Sequence, residues 1–463
     1  MSPPQPPPST PRAPAREVTL RVRRSGALSG ACRVPGDKSV SHRALLFGAL
    51  CDGAVEIRGL GEGGDNRSTA RALEALGVGI RLAGTEAEVR GVGFEGLRAA
   101  SRALDCGNSG TTIRMMTGLL AGRPFETTLE GDASLTRRPM RRLAEPLRQM
   151  GATIEGRAEP ARPGDVFPPL RVRGGALVGL RYDLPVASAQ LKSALVLAGL
   201  QAKGRTELRE PAQSRDHTER MLRHLGAPVS ADAATNTIVV DPAGWNGRLR
   251  AAPLTVPGDV SSATFLIVAA LAVPGSDVVV ENVGLNPTRT GALDALAAMG
   301  AELTIEPTGD AMGEPVGRVR VRAGRLRGTR IAGTLALRAI DEVPALAVAA
   351  ALAEGTTVFA DLAELRIKES DRIAALAREL GRAGVTVAER PDGLVVEGLA
   401  GRAPRGGTVE PEHDHRIAMA GAVLGLASPD ETLVPASEIA TSFPSFADTL
   451  RALGAALDEA SPR

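Results

Sequence analysis

Apolar residues recur at helical spacing in six segments of the chain, and each segment closes on a similar hexad with Gly at its fifth position. Glycine directly after the last apolar residue of a helix is a common left-handed stop. We therefore predict six helix ends, at intervals of 70 to 84 residues. The hexads are LEALGV (73–78), LRQMGA (147–152), LRHLGA (222–227), LAAMGA (296–301), LGRAGV (380–385) and LRALGA (450–455).

Strand-like runs follow these helix ends. VGIRLAG (78–84) and AELTIEP (301–307) are examples, and some runs continue across a turn into a second strand, such as TIVVDP (237–242). Each unit of about 75 residues is thus predicted to mix strands and helices. Self-similarity at a nearly fixed period indicates a fold built from structural repeats.

A short loop occurs twice, as VPGDKSVSHRALL at 34–46 and as VPGDVSSATFLIV at 256–268. Three of the helix ends lie before the second copy and three lie after it. We predict an α/β fold with two lobes of three units each, between which the chain crosses twice. The first lobe would span 37–257, and the second would span 16–36 plus 258–463.

Composition narrows the classes of function. The 463 residues carry a net charge of +2 with one Trp and one Tyr, which disfavours nucleic acid or an anionic membrane as a partner. Three scattered cysteines and five histidines, without paired metal-binding motifs, argue against disulfides and a metal site and favour the cytoplasm. The Pro-rich residues 1–15 lack the apolar core of a signal peptide and are predicted to be disordered. No membrane span is predicted.

Cationic and small polar residues gather where several apolar helices are predicted to begin. GNSGTTIR (107–114) supplies a turn rich in Gly and hydroxyls, and DHRIAMA (414–420) places an Arg at a helix start too apolar to be exposed. If the helices of a lobe run parallel, their positive ends converge on the cleft between the lobes. Small polyanions are then the predicted ligands, because the Arg fork binds carboxylates and phosphates. The cleft would carry the cations Lys38, Arg43, Arg138, Arg215, Lys368, Arg372 and Arg416, against Asp341 and Glu369.

Ordinary structural roles are the alternative at some of these positions. Asp341 begins the apolar stretch DEVPALAVAAAL and could cap its helix. In RRPMRR (137–142), at least two of the four arginines are expected to be solvated surface residues.

Longer motifs, in order between about residues 20 and 450, resemble those of the EPSP synthase family, the 3-phosphoshikimate 1-carboxyvinyltransferases of the shikimate pathway. The resemblance implies a two-lobed inside-out α/β barrel of six βαβαββ repeats. It also implies an enzyme that transfers the enolpyruvyl group of phosphoenolpyruvate to the 5-hydroxyl of shikimate 3-phosphate and releases phosphate. No cofactor, a monomer and inhibition by glyphosate are expected as well. The motifs are PGDKSVSHRALL, GNSGTTIR, RRPM, SAQLKSAL, IDEVPALAVAAA, RIKESDRI and DHRIAMA.

Matching positions imply roles for individual residues. Shikimate 3-phosphate would be held by Lys38, Ser39, Arg43, Ser188, Ala189, Gln190 and Arg215. Phosphoenolpyruvate would be held by Arg138, Arg372 and Arg416, with Gly110 and Lys38 beside them. Asp341 would be the base for the 5-hydroxyl, and Lys368 and Glu369 would move protons at the enol methylene and the bridging oxygen. Asp341 and Lys368 would also contact the substrates.

One position departs from the family pattern. In IATSFPSF (439–446), Thr441 stands where many relatives have a Lys, so that contact to phosphoenolpyruvate is not carried over.

Two other functions stay open. A UDP-N-acetylglucosamine enolpyruvyl transferase shares the fold and donor but uses a loop Cys, and none of Cys32, Cys51 and Cys106 lies in an Arg-rich loop. A non-catalytic anion-binding homologue is disfavoured, because the acidic and basic residues expected for catalysis are all present: Asp341, Lys368, Glu369 and Arg416.

Overall fold

The computed structural model describes residues 18–460. Thirteen α-helices lie in this part of the chain: α1 Lys38–Ala49, α2 Gly64–Ala75, α3 Gly110–Leu120, α4 Arg141–Gln149, α5 Ala189–Gly199, α6 His217–His224, α7 Val260–Ala272, α8 Gly291–Ala298, α9 Gly333–Arg338, α10 Val343–Leu352, α11 Arg372–Arg382, α12 His415–Gly425 and α13 Phe446–Ala452. Short 3-10 helices span Leu135–Arg137, Ala363–Ile367 and Ser437–Thr441.

The same residues form 25 strands. Their bounds are β1 Thr19–Val22, β2 Ser29–Arg33, β3 Cys51–Arg58, β4 Gly79–Ala83, β5 Glu86–Val92, β6 Leu104–Asp105, β7 Glu126–Glu130, β8 Thr153–Arg157, β9 Phe167–Arg173, β10 Arg181–Asp183, β11 Thr206–Arg209, β12 Val229–Asp232, β13 Thr237–Val240, β14 Leu249–Arg250, β15 Leu254–Thr255, β16 Asp277–Gly284, β17 Glu302–Ala311, β18 Glu314–Arg322, β19 Arg330–Ile331, β20 Thr356–Phe359, β21 Thr386–Arg390, β22 Gly393–Glu397, β23 Gly407–Thr408, β24 Thr432–Pro435 and β25 Leu457–Glu459.

Six sheets repeat one strand order, which confirms the six predicted units. In each sheet an edge strand pairs parallel with its neighbour, and the next two pairings are antiparallel. The first three sheets are β14-β3-β5-β4, with β15 also paired to β3, β6-β7-β9-β8 and β10-β11-β13-β12. The other three are β2-β16-β18-β17, β19-β20-β22-β21 and β23-β24-β1-β25.

Each unit contains one central helix and one helix at the side, and the short α9 is the thirteenth helix. The central helices α1, α3, α5, α7, α10 and α12 bury nearly every residue, and all thirteen residues of α7 are buried. A helix that is apolar on all sides belongs in the interior. Several strands alternate buried and exposed residues, as β9 and β18 do. Helices therefore lie inside and sheets outside, which is the inside-out arrangement that the resemblance implied.

The six glycine helix ends are also confirmed. The side helices α2, α4, α6, α8, α11 and α13 each stop two residues before the hexad glycine. These glycines have φ between 83° at Gly226 and 113° at Gly151, a left-handed region that side chains with a Cβ rarely adopt. A strand follows each of these turns, as predicted.

Two hydrophobic cores support the division into lobes that we propose at 37–257 and at 16–36 plus 258–463. One core contains buried apolar residues between positions 40 and 256 together with Met312. The other contains Leu20, Val22, Leu28 and buried apolar residues between positions 260 and 457. β1 and β2 enter the sheets of the later half, where β1 lies between β24 and β25. The proposed tail at 1–15 lies outside the described residues.

The two copies of the doubled loop bind each other where the chain crosses between the lobes. Asp37 N donates to Pro257 O at 2.7 Å, and Asp259 N donates to Pro35 O at 2.9 Å. Gly36 and Gly258 form an antiparallel bridge between these contacts. The duplicated loops thus form a small two-fold junction at the boundary of the lobes.

Candidate active site

Five of the six central helices begin at a side chain that accepts a hydrogen bond from the first turn. These N-caps are Asp37, Ser109, Ser188, Asp259 and Asp414. The exception is α10, whose N-cap Glu342 accepts no side-chain hydrogen bond from the first turn of the helix. The alternative that Asp341 caps this helix is therefore wrong, and its carboxylate is available for other contacts.

The starts of these helices open onto one cavity of about 560 Å³ between the lobes. Eleven Lys and Arg residues line it against seven Asp and Glu residues. Such an excess of cations, together with helix N-termini, favours anionic ligands. All the residues singled out in the sequence line this cavity: Lys38, Ser39, Arg43, Gly110, Arg138, Ser188, Ala189, Gln190, Arg215, Asp341, Lys368, Glu369, Arg372 and Arg416.

Arg43 is fixed in the first-lobe wall by neutral partners. Its Nε donates to Thr218 Oγ1 at 2.7 Å, its Nη2 to Ser193 Oγ at 2.8 Å and its Nη1 to the main-chain oxygen of Ser39 at 2.9 Å. The residue is 2% exposed, and this burial lowers the pKa of Arg43 to about 10, so it stays charged at neutral pH. Lys38, by contrast, pairs with Asp65 at 3.1 Å.

A second group of cations surrounds Gly110 at the start of α3. Arg114 Nη1 donates to Gln190 Oε1 at 2.9 Å and to Gly110 O at 3.1 Å, and Arg138 Nη2 donates to Asn108 Oδ1 at 2.5 Å. A Cβ on Gly110 would lie 2.6 Å from Arg114 Nη1 and 3.0 Å from Arg138 Nη1. Glycine is therefore what lets both guanidinium groups approach this helix start.

Asp341 lies at the centre of the cations in the cavity. Its carboxylate is 2.5 Å from Arg215 Nη2, 3.4 Å from Lys368 Nζ and 3.6 Å from Arg372 Nη1. Arg416 Nη1 donates to its main-chain oxygen at 2.8 Å. Burial alone would raise the pKa of Asp341, but these cations hold it well below the usual range. The carboxylate is thus ionised. It contacts cations of both lobes, because Arg215 belongs to the first lobe and Lys368 to the second.

Lys368 contacts Asp341 and Glu369 contacts Arg372, and the surroundings of the two residues affect their pKa values differently. Burial lowers the pKa of Lys368, which makes its ammonium a better proton donor than a surface lysine. Burial would raise the pKa of Glu369, but Arg372, Arg138 and Lys38 hold it well below its usual range.

Arg372 and Asp414 form a buried ion pair that supports this part of the wall. Arg372 Nε donates to Asp414 Oδ2 at 2.7 Å, and Arg372 Nη2 donates to Glu369 Oε2 at 2.7 Å. Its Nη1 has no hydrogen-bond acceptor among residues 18–460. Burial and the charge of Lys38 lower the pKa of the neighbouring His415 to about 3, so this histidine is neutral.

Four arginines that line the cavity were not among the predicted cations. Arg141 and Arg142 are half exposed, as expected for solvated surface residues, whereas Arg114 and Arg289 were missed. Arg114 follows Gly110 by one helical turn, and that spacing within GNSGTTIR was the available signal. Arg289 gave no such signal. Its Nη2 lies 2.7 Å from Ser261 Oγ, 3.5 Å from Asp259 and 3.8 Å from Asp37, contacts that only the assembled loop junction creates.

Positions that were expected to matter less lie outside the cavity. Thr441 is not among the lining residues, and its main-chain oxygen packs against Gly63 of the first lobe. None of the three cysteines lines the cavity, and burial raises the pKa of the Cys32 thiol to about 11 and that of Cys51 to about 12.

Within residues 18–460, no cluster of three or more His, Cys, Asp or Glu is placed to bind a metal ion. None of the helices in this part of the chain is both long and apolar enough to span a bilayer.

The six-unit fold and its cation-lined cavity define a two-lobed enzyme for small anionic substrates. The family model of EPSP synthase (3-phosphoshikimate 1-carboxyvinyltransferase) matches residues 22–450. The chain therefore belongs to the EPSP synthase family. It is an enzyme of the shikimate pathway, a transferase of the enolpyruvyl group from phosphoenolpyruvate to shikimate 3-phosphate.

Individual relatives agree over nearly the whole chain. The 3-phosphoshikimate 1-carboxyvinyltransferase of Synechococcus sp. (strain JA-3-3Ab) is 51% identical over 431 residues, covering 92% of this chain and 94% of the relative. That of Desulforudis audaxviator (strain MP104C) is 50% identical over 438 residues, covering 94% and 99%. A solved EPSP synthase structure from Acinetobacter baumannii has a TM-score of 0.84 at 42% identity and covers 96% of this chain and 100% of its own.

Proposed function

We propose that the cavity between the lobes is the site of this transfer and that the residues converging on it divide the work by lobe. The observation that supports this is the convergence itself: cations from both lobes and the pair Asp341 and Lys368 line one cavity. Both substrates carry a carboxylate and a phosphate group, so clustered cations offset their mutual repulsion.

The acceptor site lies on the first-lobe side of the cavity. We propose that shikimate 3-phosphate is held by Lys38, Ser39, Arg43, Ser188, Ala189, Gln190 and Arg215. Arg43 is preorganised by neutral partners, so no carboxylate of the protein competes directly for its charge. The N-terminus of α5, capped by Ser188, adds main-chain N–H groups to the same region.

The donor site lies between Gly110 and the second-lobe arginines. We propose that phosphoenolpyruvate is held by Arg138, Arg372 and Arg416, with Gly110 and Lys38 beside them. The Nη1 of Arg372 supports this, because its nearest carboxylate, Asp341, is 3.6 Å away and it has no hydrogen-bond acceptor among residues 18–460. A buried donor without an acceptor is costly, and an anion would satisfy it. Thr441 has no part in this proposal.

The chemistry is an addition followed by an elimination. The oxygen of the 5-hydroxyl bonds to C2 of phosphoenolpyruvate and gives up its proton to Asp341, while C3 gains a proton, which yields a tetrahedral intermediate. C3 then loses a proton as the C2–O bond to phosphate breaks and the phosphate leaves. Lys368, with its lowered pKa, suits proton donation at C3, and the ionised Glu369 suits proton acceptance.

Bound substrates would also change the pKa of the proposed base, Asp341. Four cations hold the pKa of Asp341 down, so it is a weak base in the absence of ligand. When substrate anions pair with Arg215, Arg372 and Arg416, these cations act less on Asp341 and its pKa rises. Deprotonation of the 5-hydroxyl is thereby tied to occupation of both sites.

A single assay tests the proposed transfer. Phosphate release from phosphoenolpyruvate is measured with shikimate 3-phosphate or with UDP-N-acetylglucosamine as acceptor. Release with shikimate 3-phosphate alone is expected. Release with the nucleotide sugar alone, or with neither acceptor, would contradict the proposal.

We also propose that the enzyme acts as a monomer in the cytoplasm. The proposed site is built from one chain, and the free Cys32, Cys51 and Cys106 suit a reducing compartment. Sedimentation equilibrium at assay concentrations tests the monomer, and a dimer mass would contradict it.

A further inference from the structure

A buried charged cluster lies behind Arg43 and has no part in the proposed chemistry. Lys192 Nζ is 2.7 Å from Glu219 Oε1 and 2.9 Å from Glu210 Oε2, and all three side chains are 1% exposed. None of the three lines the cavity. Burying such charges costs several kcal/mol each before pairing, so the cluster is poorly explained by stability alone.

The cluster joins three segments that we propose hold shikimate 3-phosphate. Lys192 is on α5, whose start carries Ser188, Ala189 and Gln190. Lys192 Nζ also donates to the main-chain oxygen of Ser214 at 3.4 Å, directly before Arg215. Ser193 and Thr218, the neighbours of Lys192 and Glu219 in the chain, are the hydroxyl partners of Arg43.

The charges of the cluster balance when Arg43 is included. Burial lowers the pKa of Arg43, and the charge of Glu219 opposes that effect. Burial would lower the pKa of Lys192, but the two carboxylates raise it, so the lysine is charged. Two cations then face two carboxylates, and the loss of Lys192 alone would leave one negative charge uncompensated beside Arg43.

We propose that Lys192 is a positioning residue for shikimate 3-phosphate, which fixes Arg43, the start of α5 and the Arg215 loop relative to one another. The inference rests on the acceptor site proposed above. Lys192 does not line the cavity, and Arg138, Arg372 and Arg416, the arginines proposed to hold phosphoenolpyruvate, lie on other segments. Its removal should therefore act on the KM for shikimate 3-phosphate and leave the donor site largely unchanged.

Two variants and a control test this role. Lys192→Met removes the tie, and the double variant Lys192→Met with Glu210→Gln removes it while keeping the cluster neutral. Both are expected to raise the KM for shikimate 3-phosphate at least about tenfold, as for the loss of a charged hydrogen-bonding partner, with kcat and the KM for phosphoenolpyruvate within about threefold. Lys203→Met, at an exposed lysine just after α5, is the matched control.

Each outcome decides between the proposals. Absence of turnover with shikimate 3-phosphate in the parent enzyme would refute the proposed function instead of this role. A parent-like KM for shikimate 3-phosphate in the folded double variant would overturn the positioning role, as would an equal rise in both KM values. Loss of the native circular dichroism spectrum in the charge-balanced double variant would assign Lys192 to folding only and would also overturn it.

Discussion

The loop before α1 and the loop before α7 have the same cap and different first turns. Asp37 accepts from Val40 N at 2.9 Å, and Asp259 accepts from Ser261 N at 2.8 Å. Beyond the caps, α1 presents Lys38, Ser39 and Arg43 to the cavity, whereas α7 presents Ser261 and has Phe265 at the position of Arg43. Duplication thus preserved the backbone, while a few side chains decided whether a copy binds ligand or packs in a core.

Arg43 and Arg372, one in each lobe, differ in a related way in how they are held. Arg43 in the first lobe has hydroxyl and main-chain partners, whereas Arg372 in the second pairs with Asp414 and Glu369. A cation with neutral hydrogen-bond partners has no carboxylate bound directly to it in competition with a ligand. Cations surrounded by carboxylates set the protonation of those carboxylates. The comparison predicts that substitution of Arg43 changes substrate binding, whereas substitutions around Asp341 and Arg372 also change turnover.

The largest effect is expected at Asp341. Asp341→Asn keeps the shape and removes the base, so kcat should fall by about 10²–10⁴, the usual contribution of a general base. Binding of shikimate 3-phosphate, measured by calorimetry, should change little. Glu397→Gln, at an exposed acid on β22, is the control. Near-normal turnover in Asp341→Asn would contradict the assignment of Asp341 as the base.

The doubled loop offers a direct contrast between its copies. Lys38→Met removes a charged contact and should weaken substrate binding by about 10- to 150-fold, from 1.5–3 kcal/mol, at unchanged melting temperature. Asp259→Ala removes a buried cap and should lower the free energy of unfolding by about 0.5–2 kcal/mol, with binding kept. If Asp259→Ala abolished binding at full stability, the two copies would not differ as described.

Gly110 tests the donor side of the first lobe. A methyl group there must displace the guanidinium groups of Arg114 or Arg138. Glyphosate is longer than phosphoenolpyruvate, so Gly110→Ala should raise its inhibition constant by about 5- to 150-fold, from 1–3 kcal/mol of overpacking, and the KM for phosphoenolpyruvate much less. The parent enzyme should be glyphosate-sensitive. An equal shift of both constants, or a parent indifferent to the inhibitor, would argue against this interpretation.

A pH effect is expected from two buried histidines, one near each lobe's helix starts. Burial and Lys38 hold the pKa of His42 well below 6.5 and that of His415 at about 3. Below pH 6.5 these histidines bind protons in the unfolded chain but stay neutral in the native state, so the free energy of unfolding falls as pH falls. Urea unfolding should show up to about 1.4 kcal/mol per pH unit for each.

His415→Asn isolates one of these contributions. The variant should lose that share of the pH slope between about pH 6.5 and about pH 4.5. His413→Asn, at an exposed histidine, is the matched control. An unchanged slope in His415→Asn would show that the native histidine protonates with the unfolded one.

The smallest effect is expected at the mouth of the cavity. Arg142 of the first lobe and Glu364 of the second are 2.8 Å apart, with side chains 52% and 45% exposed. Exposed ion pairs contribute about 0–1 kcal/mol. Arg142→Gln should therefore change each KM by less than about threefold, and a larger change would mean that this pair controls lobe closure.

Local features were predictable from the sequence because they depend on near neighbours. The left-handed glycine at each helix end, such as Gly226, follows from the hexad alone. The convergence of Lys38 and Arg416 followed from helix starts that are too apolar to be exposed. Arg289 and Lys192 were not predictable, because their partners come from distant segments. The capping role considered for Asp341 failed because helix α10 begins two residues later, at Val343.

The position of β1 between β24 and β25 has a consequence for biosynthesis. The first-lobe segment is contiguous, so we expect it to fold while the ribosome still makes the remainder. The sixth sheet, however, forms only when Leu20 pairs with Val434 and Glu459, which are synthesised more than 400 residues later. At about 5–20 residues per second, β1 waits on the order of half a minute for its partners. A newly made chain thus carries an unpaired strand for most of its synthesis, and chaperones that cover exposed strand edges would act on this end of the protein.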